Sequence, residues 1–128
     1  MSTRCWIEQK RENGIHSFYC HHDGYPEYPH GVASKLVRFY DSEDLATKLI
    51  DLCEPYGTSA LESTLKDTSY ELYINDAFPN RIYKNAKEYE KNAPFDIEYI
   101  YLWTKGEWKI FKSGSFKSIK KYCKKALN

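Results

Sequence analysis

The sequence predicts one α+β domain over residues 1–128, with an antiparallel sheet of about four to six strands and about three helices packed mainly on one face. Three observations lead to this prediction. Two pairs of strand-like runs are each joined by a short turn, three stretches have helical periodicity, and 128 residues is the usual size of one domain. A chain of this length buries about two-thirds of its unfolded surface.

The first predicted hairpin joins strand-like runs at 3–9 and 15–22. An Asn-Gly pair at 13–14 supplies its turn, because these residues tolerate the positive φ that tight hairpin turns require. Strand alternation places His21 and His22 on opposite faces, so we expect them to diverge. Asp-Gly and two prolines then end the second strand.

Two helices are predicted in the middle of the chain, at 31–40 and at about 42–53. Asp41 or Ser42 caps the second helix, and the acidic residues after it suit a helix N-terminus. Residues 56–63 are predicted to be a loop. A short strand is expected at 70–74, and the ambiguous segment 83–91 is interpreted as a short polar strand followed by a helical turn.

The clearest hairpin pairs the runs at 97–104 and 108–111 through a Lys-Gly-Glu turn. After Gly114, helical periodicity predicts a C-terminal helix. Its apolar stripe consists of Phe116, Ile119, Cys123 and Leu127. Its outer face carries four lysines, Lys117, Lys121, Lys124 and Lys125.

Charge is unevenly distributed along the chain, although the net charge is only +1. Residues 1–80 contain seven Lys/Arg against thirteen Asp/Glu, whereas residues 81–128 contain twelve against five. This asymmetry is typical of a nucleic-acid or acidic-partner face, and equally of two halves that attract each other in the fold. Only four of the nineteen basic residues are Arg, which disfavours bidentate phosphate recognition.

The four cysteines are scattered without CxxC spacing, which predicts reduced and largely buried thiols. The N-terminus has no apolar signal-peptide region, and no stretch approaches eighteen apolar residues. We therefore expect a cytoplasmic protein without a membrane span.

Residues 16–31 contain all four histidines, and so they are the first place to look for chemistry. Their spacing matches no zinc motif, and the chain has no GxSxG or phosphate-binding glycine loop. We predict neither a metal nor a cofactor, and no catalytic residue. The alternative is a small metal-dependent or nucleotide-cleaving enzyme centred on His21, His22 and Asp23.

The same stretch is better suited to binding a ligand or a partner. Tyr25 and Tyr28 are rigid aromatic residues framed by prolines, and they directly precede a helix N-terminus that attracts anions. We predict a contact surface of His22, Tyr25, Tyr28 and His30, with Arg38 as a charge partner. The competing interpretation is that these tyrosines cover the edge of the core.

The segment at 19–26, Tyr-Cys-His-His-Asp-Gly-Tyr-Pro, resembles the Y-C-H-x-D-G-Y-P motif of a family of small phage and prophage proteins. The resemblance covers about residues 15–62 and includes Gly31-Val32 and the Ser-Ala-Leu at 59–61. It departs at His22, where an aromatic residue is expected, and at 54–56, where a short Gly-Asp turn is usual. The aromatic residue that the family has at position 22 counts against His22 as an obligatory metal ligand.

The resemblance implies a phage-borne accessory protein, acting in the bacterial cytoplasm, that counters a host defence system. The expected partner is a host defence protein, such as a CRISPR effector, or a small nucleotide signal that the protein sequesters. A third hypothesis is a nucleic-acid-binding module that uses the C-terminal lysines, although a solvated helix face explains them more simply. A homo-oligomer is left open.

Overall fold

The computed structural model describes residues 3–55, 57–68 and 97–128, together with the backbone of 82–83. Its strands are β1 (Cys5–Arg11), β2 (Gly14–His22), β3 (Thr58–Ala60), β4 (Ile82–Tyr83), β5 (Tyr99–Thr104), β6 (Glu107–Lys112) and β7 (Ser115–Ser118). Its helices are α1 (Val32–Phe39), α2 (Glu43–Cys53) and the short α3 (Ile119–Tyr122), which a 3-10 turn at Lys124–Ala126 follows.

One mixed, mostly antiparallel sheet holds these strands in the order β3-β2-β1-β5-β6-β7, and β4 pairs with β2 off this path. The predicted α+β class and both predicted hairpins, β1–β2 and β5–β6, are confirmed. Two neighbouring pairs, β1–β5 and β2–β3, are parallel. For β2–β3 the reason is that α1 and α2 form the crossover between the strands, and a crossover returns the chain in the same direction.

Strand alternation divides the side chains of the sheet between two buried clusters. On the helix face, apolar side chains of β1, β2, β5 and β6 pack against α1 and α2 in the main core. On the opposite face, Trp6, Ile15 and Leu102 form a smaller cluster, against which Phe116 packs. Both faces of the central strands are therefore covered.

The two predicted middle helices are confirmed, with Gly31 and Ser42 as their N-caps. The Ser42 hydroxyl accepts a hydrogen bond from the Leu45 amide at 3.1 Å, as expected of a capping serine. The predicted loop at 56–63 is wrong in part, because 58–60 form β3 against the edge of β2. The strand predicted at 70–74 lies outside the described residues, as does the uncertain segment after residue 83.

The predicted C-terminal helix is also wrong over its first half. Ser113 and Gly114 both have positive φ, and so the chain turns and forms β7 as a third hairpin strand. Phe116 consequently packs edge-on against Phe111 across the hairpin, with ring centroids 5.1 Å apart, instead of joining a helical stripe. The helix begins only at Ile119, where the Ser118 hydroxyl caps it by accepting from the Lys121 amide.

All four cysteines are free and buried, as predicted. The acidic and basic halves of the chain meet within the fold: Lys120 pairs with Asp41, and Lys125 Nζ lies 3.6 Å from Glu27 Oε1. Attraction between the two halves therefore accounts for part of the charge asymmetry.

Candidate functional site

The Asp-Gly pair ends β2 by turning the chain sharply. Asp23 adopts a φ of 59°, and the Gly24 amide donates to the Thr3 carbonyl at 2.9 Å. A Cβ at position 24 would lie 2.7 Å from that carbonyl oxygen, which is too close for any side chain. The predicted turn is therefore confirmed, and it requires glycine for the close approach of two backbones.

The start of α1 has less capacity for an anion than the sequence predicts. The Gly31 amide donates to the Glu27 carbonyl at 2.8 Å, and the Val32 amide donates to the Asp23 carbonyl at 2.9 Å. These bonds close the loop on itself and use donors that an anion would need. The amides of Gly31 and Val32 are therefore not free to bind an anion at this helix N-terminus, contrary to what the sequence predicts.

Tyr28 and Arg38, which the sequence proposes as partners, do lie together. The Arg38 guanidinium carbon is 4.7 Å from the centroid of the Tyr28 ring and 4.7 Å from that of the Phe39 ring. The Arg38 Nε donates to the Ser34 hydroxyl at 3.0 Å, and its Nη2 donates to the Pro29 carbonyl. Tyr28 remains 46% exposed, so the stacked pair forms a rigid patch on the surface.

The other predicted contact residues lie in the same loop or at the end of β2. Burial, followed by the Asp23 carboxylate, raises the pKa of Tyr25. His30 is exposed, and His22 lies at the end of β2 beside His21. Of the five predicted contact residues, the structure thus shows a direct side-chain contact between Tyr28 and Arg38, and the contact surface itself stays a prediction.

The histidines are arranged differently from the sequence expectation. The rings of His21 and His22 touch edge-on, with centroids 4.6 Å apart, although both residues belong to β2. The His21 Nδ1 lies 2.6 Å from the Tyr19 hydroxyl, and burial lowers the pKa of His21, with smaller contributions from the charges of His22 and Arg4. Within the described ranges, no three His, Cys, Asp or Glu side chains converge as metal ligands.

The predicted loop meets the C-terminal segment at a groove on the helix face of the sheet. The Tyr28 amide donates to the Lys125 carbonyl at 2.9 Å, which fixes the loop against the end of the chain. Beside this bond lies a cavity of about 200 Å³, which Pro26 borders. We call it the lysine groove. Its charged and tyrosine lining consists of Glu98, Tyr99, Lys112, Lys117, Tyr122 and Lys125, and Ile110, Phe111 and Cys123 complete its wall.

The fold positions each part of this lining separately. The amides of Glu98 and Tyr99 both donate to the Arg4 carbonyl, which holds the start of β5 in place. Lys112 ends β6, and Lys117 lies on β7, where it pairs with Ile110 of β6. Tyr122 ends α3 and remains 63% exposed, although it lines the groove. Four chain segments, with Glu98, Lys112, Lys117 and Lys125, therefore bring their charges to one place.

The lysine groove carries an excess of positive charge. In the part of the chain that the structure describes, neither Lys112 nor Lys117 forms an ion pair, and Lys125 is shared with Glu27 at 3.6 Å. Burial raises the pKa of the Cys123 thiol in the wall, whereas the ammonium groups of Lys125 and Lys112 act in the opposite direction. Both ammonium groups thus lie close enough to Cys123 to influence it.

The predicted row of four lysines on one helix does not exist. Lys117 lies on β7, Lys121 on α3, and Lys124 and Lys125 in the 3-10 turn. Lys117 and Lys125 line the groove, whereas Lys121 and Lys124 do not. Sequence reasoning missed Lys112, Glu98 and Tyr99; the only signal for Lys112 is the acid-free run of six lysines at 112–125.

No helix in the described part of the chain is both long and apolar enough to cross a membrane. No family model, curated protein sequence or solved structure matches this chain. The similarity of residues 15–62 to small phage proteins therefore remains a prediction.

Proposed function

We propose that this protein is a non-enzymatic binding protein that sequesters a small anionic ligand, of the nucleotide class, in the lysine groove. The observation that carries this proposal is the convergence of Lys112, Lys117 and Lys125 with two tyrosine rings on one cavity. Charged donors bind phosphate strongly, and tyrosine faces stack on bases. The combination suits a nucleotide better than either a metal ion or an apolar molecule.

The size of the groove limits what it can hold. Its volume of about 200 Å³ is below the roughly 300–1,000 Å³ of typical ligand sites. A phosphate with part of an attached ring system fits this space, whereas a whole dinucleotide has to extend beyond it. The exposed ring of Tyr122 at the groove offers a surface for the part that remains outside.

The biological role that we propose follows the phage resemblance. A phage accessory protein that binds a nucleotide immune signal lowers its free concentration in the bacterial cytoplasm and so blocks the defence response. Sequestration requires affinity and protein abundance but no reaction, so it asks of the groove only the charges and rings that line it.

This function is tested by a binding and recovery experiment. The purified protein is equilibrated with a panel of nucleoside monophosphates, cyclic dinucleotides and ADP-ribose derivatives, separated from unbound ligand by ultrafiltration, and heat-denatured. We expect about one equivalent of intact ligand from the wild type and much less from Lys112→Gln/Lys117→Gln. Recovery of no ligand above the level of that variant overturns sequestration, and recovery of cleaved ligand replaces it with the enzyme hypothesis.

A second candidate function is direct inhibition of a host defence protein through Tyr28 and Arg38. The guanidinium is held between two rings and by two hydrogen bonds, so little side-chain entropy is lost when it binds. Restored host defence in an Arg38→Ala variant that still binds nucleotide supports this candidate. Unchanged anti-defence activity in that variant rules out Arg38 as its anchor.

The two remaining hypotheses have less support. His21, central to the enzyme hypothesis, already has its Nδ1 beside the Tyr19 hydroxyl, and the Asp23 carboxylate, after burial, raises the pKa of Tyr25. For nucleic-acid binding, the four predicted lysines belong to three different elements and do not form a continuous helical stripe. Binding of random DNA that weakens steeply with salt would restore the nucleic-acid-binding hypothesis.

A further inference from the structure

We propose that the lysine groove recognises the terminal phosphomonoester of a nucleoside monophosphate, with the base outside the cavity against Tyr122. This inference rests on the proposed function and names the ligand class of the same site. Three features of the groove carry it: the balance of its charges, its volume, and the position of one carboxylate among its lysines.

The charge balance favours a dianion. Lys112, Lys117 and Lys125 bring three positive charges to the groove, and Glu98 brings one negative charge. The net charge of the described lining is therefore +2, with Glu27 outside the cavity at 3.6 Å from Lys125. A phosphomonoester carries about −1.5 to −2 near neutral pH, whereas each phosphodiester group of a cyclic dinucleotide carries a single negative charge.

The volume and the exposed tyrosine divide the ligand into two parts. A cavity of about 200 Å³ accommodates the phosphate and the adjoining sugar. Tyr122 lines this cavity while 63% of its surface is exposed, so its ring offers a free face outside. Stacking on a tyrosine face tolerates any base, and we expect little discrimination among bases.

Glu98 gives the groove a further preference. A carboxylate accepts hydrogen bonds from sugar hydroxyls, and it repels a second phosphate group placed near it. The groove should therefore prefer a monophosphate to the corresponding diphosphate. This preference is the opposite of what lysines alone would give, because more negative charge would otherwise bind more tightly.

The experiment is an amide NMR titration of the whole protein with AMP, ADP, adenosine and a cyclic dinucleotide, at fixed ionic strength. We expect AMP to perturb amides of β6, β7 and α3 and to bind at least about tenfold more tightly than adenosine or the cyclic dinucleotide. ADP should bind more weakly than AMP. In Glu98→Gln, the gap between AMP and ADP should close or reverse.

Matched lysine variants locate the site. Lys117→Gln should weaken AMP binding about tenfold, and Tyr122→Ala should weaken it several-fold while leaving inorganic phosphate binding unchanged. Lys105→Gln is the control, because Lys105 lies in the turn at the other end of β6, about 17 Å from Lys112. Retention of the native amide spectrum in each variant shows that a lost affinity is not lost folding.

The outcomes separate this inference from the function on which it rests. Equal affinity for the cyclic dinucleotide and AMP, with both affinities lowered by Lys117→Gln, overturns recognition of a phosphomonoester and leaves the sequestration proposal standing. Tighter binding of a phosphotyrosine peptide than of AMP overturns the nucleoside and points to a protein partner. If no ligand perturbs the groove amides, both proposals are wrong.

Discussion

His16 and Glu8 are ionisable side chains of the same hairpin, both buried but on opposite faces of the sheet. His16 is 8% exposed and faces the helices; its Nδ1 lies 2.7 Å from Glu54 Oε2 and its Nε2 lies 2.7 Å from Asn13 Oδ1. Glu8 is fully buried between Ser17 and Leu102 of the flanking strands. Within the described part of the chain, neither of its carboxylate oxygens has a hydrogen-bond partner.

The difference shows that the effect of a buried polar group on stability depends on its hydrogen-bond partners as well as on its burial. On the helix face, the end of α2 brings the carboxylate of Glu54 to His16. Other buried polar groups there also have hydrogen-bond partners; the Tyr101 hydroxyl, for example, donates to the Gly24 carbonyl at 2.6 Å. On the opposite face, burial without a partner raises the pKa of the Glu8 carboxyl well above its ordinary value. Glu8 is thus a group whose ionisation opposes folding.

The largest expected effect is a fall in stability as pH rises. Because the pKa of Glu8 is higher in the folded than in the unfolded chain, the folded state binds more protons above the unfolded value of about 4.3. The contribution of Glu8 is most favourable below that value and is lost as pH rises towards the folded pKa. We expect a slope of up to about 1.4 kcal/mol per pH unit in this window, measured by urea unfolding.

The variant Glu8→Met should remove this slope and stabilise the protein at pH 7–8, since an apolar side chain of similar length needs no hydrogen bond. Glu12→Gln, an exposed change in the same hairpin, is the control and should leave the slope unchanged. An unaltered pH profile in Glu8→Met would mean that the slope arises elsewhere.

The next effect tests the helix face. Tyr101→Phe removes the hydroxyl that donates to the Gly24 carbonyl, and it leaves a buried acceptor at the turn that ends β2. We expect a loss of about 1–3 kcal/mol of unfolding free energy, independent of pH between 5 and 8. A loss below about 0.5 kcal/mol would show that the carbonyl finds another partner.

A smaller effect is expected from the pair of His16 and Glu54, because Glu54 remains partly exposed. A double-mutant cycle of His16→Ala and Glu54→Ala should give a coupling of about 1 kcal/mol. Additive losses in the cycle would show that the 2.7 Å contact between His16 Nδ1 and Glu54 Oε2 adds nothing to stability. The difference between His16 and Glu8 would then result from solvation alone.

The smallest stability effect should come from the lysine groove. Lys117→Gln removes a charge without an ion-pair partner among the described residues, and we expect unfolding free energy to change by less than about 0.5 kcal/mol. The same change should weaken AMP binding, so stability and affinity measured on one variant separate binding residues from structural ones. A loss comparable to that of Tyr101→Phe would instead make Lys117 part of the fold.

Sequence reasoning was most successful where local chemistry is strong. The Asn-Gly and Lys-Gly-Glu turns, the Ser42 cap and the Asp-Gly end of β2 are each determined by a few neighbouring residues, and each is confirmed. It failed at 115–118, where the same apolar spacing is compatible with a helix or with a hairpin strand. There the turn at Ser113, with its positive φ, and the contact of Phe116 with Phe111 favour the strand over the helix.

The candidate site shows the same division. Tyr28 and Arg38 are ten residues apart on a loop and the helix after it, so their stacking is close to a local feature and the sequence suggests it. The lysine groove joins Pro26, Glu98, Lys117 and Tyr122, which are widely separated along the chain. The pattern of charges indicated a basic C-terminal segment, but not that its lysines belong to different elements that converge.

The sequence by itself therefore determined the α+β class, the two hairpins, the middle helices and the turn after His22, because turn chemistry and periodicity act over a few residues. Only the tertiary structure decided that β1 pairs in parallel with β5, which partner a buried ionisable group receives, and which lysines share a cavity. These outcomes depend on contacts between distant segments, where packing and solvation of the whole sheet outweigh any local preference.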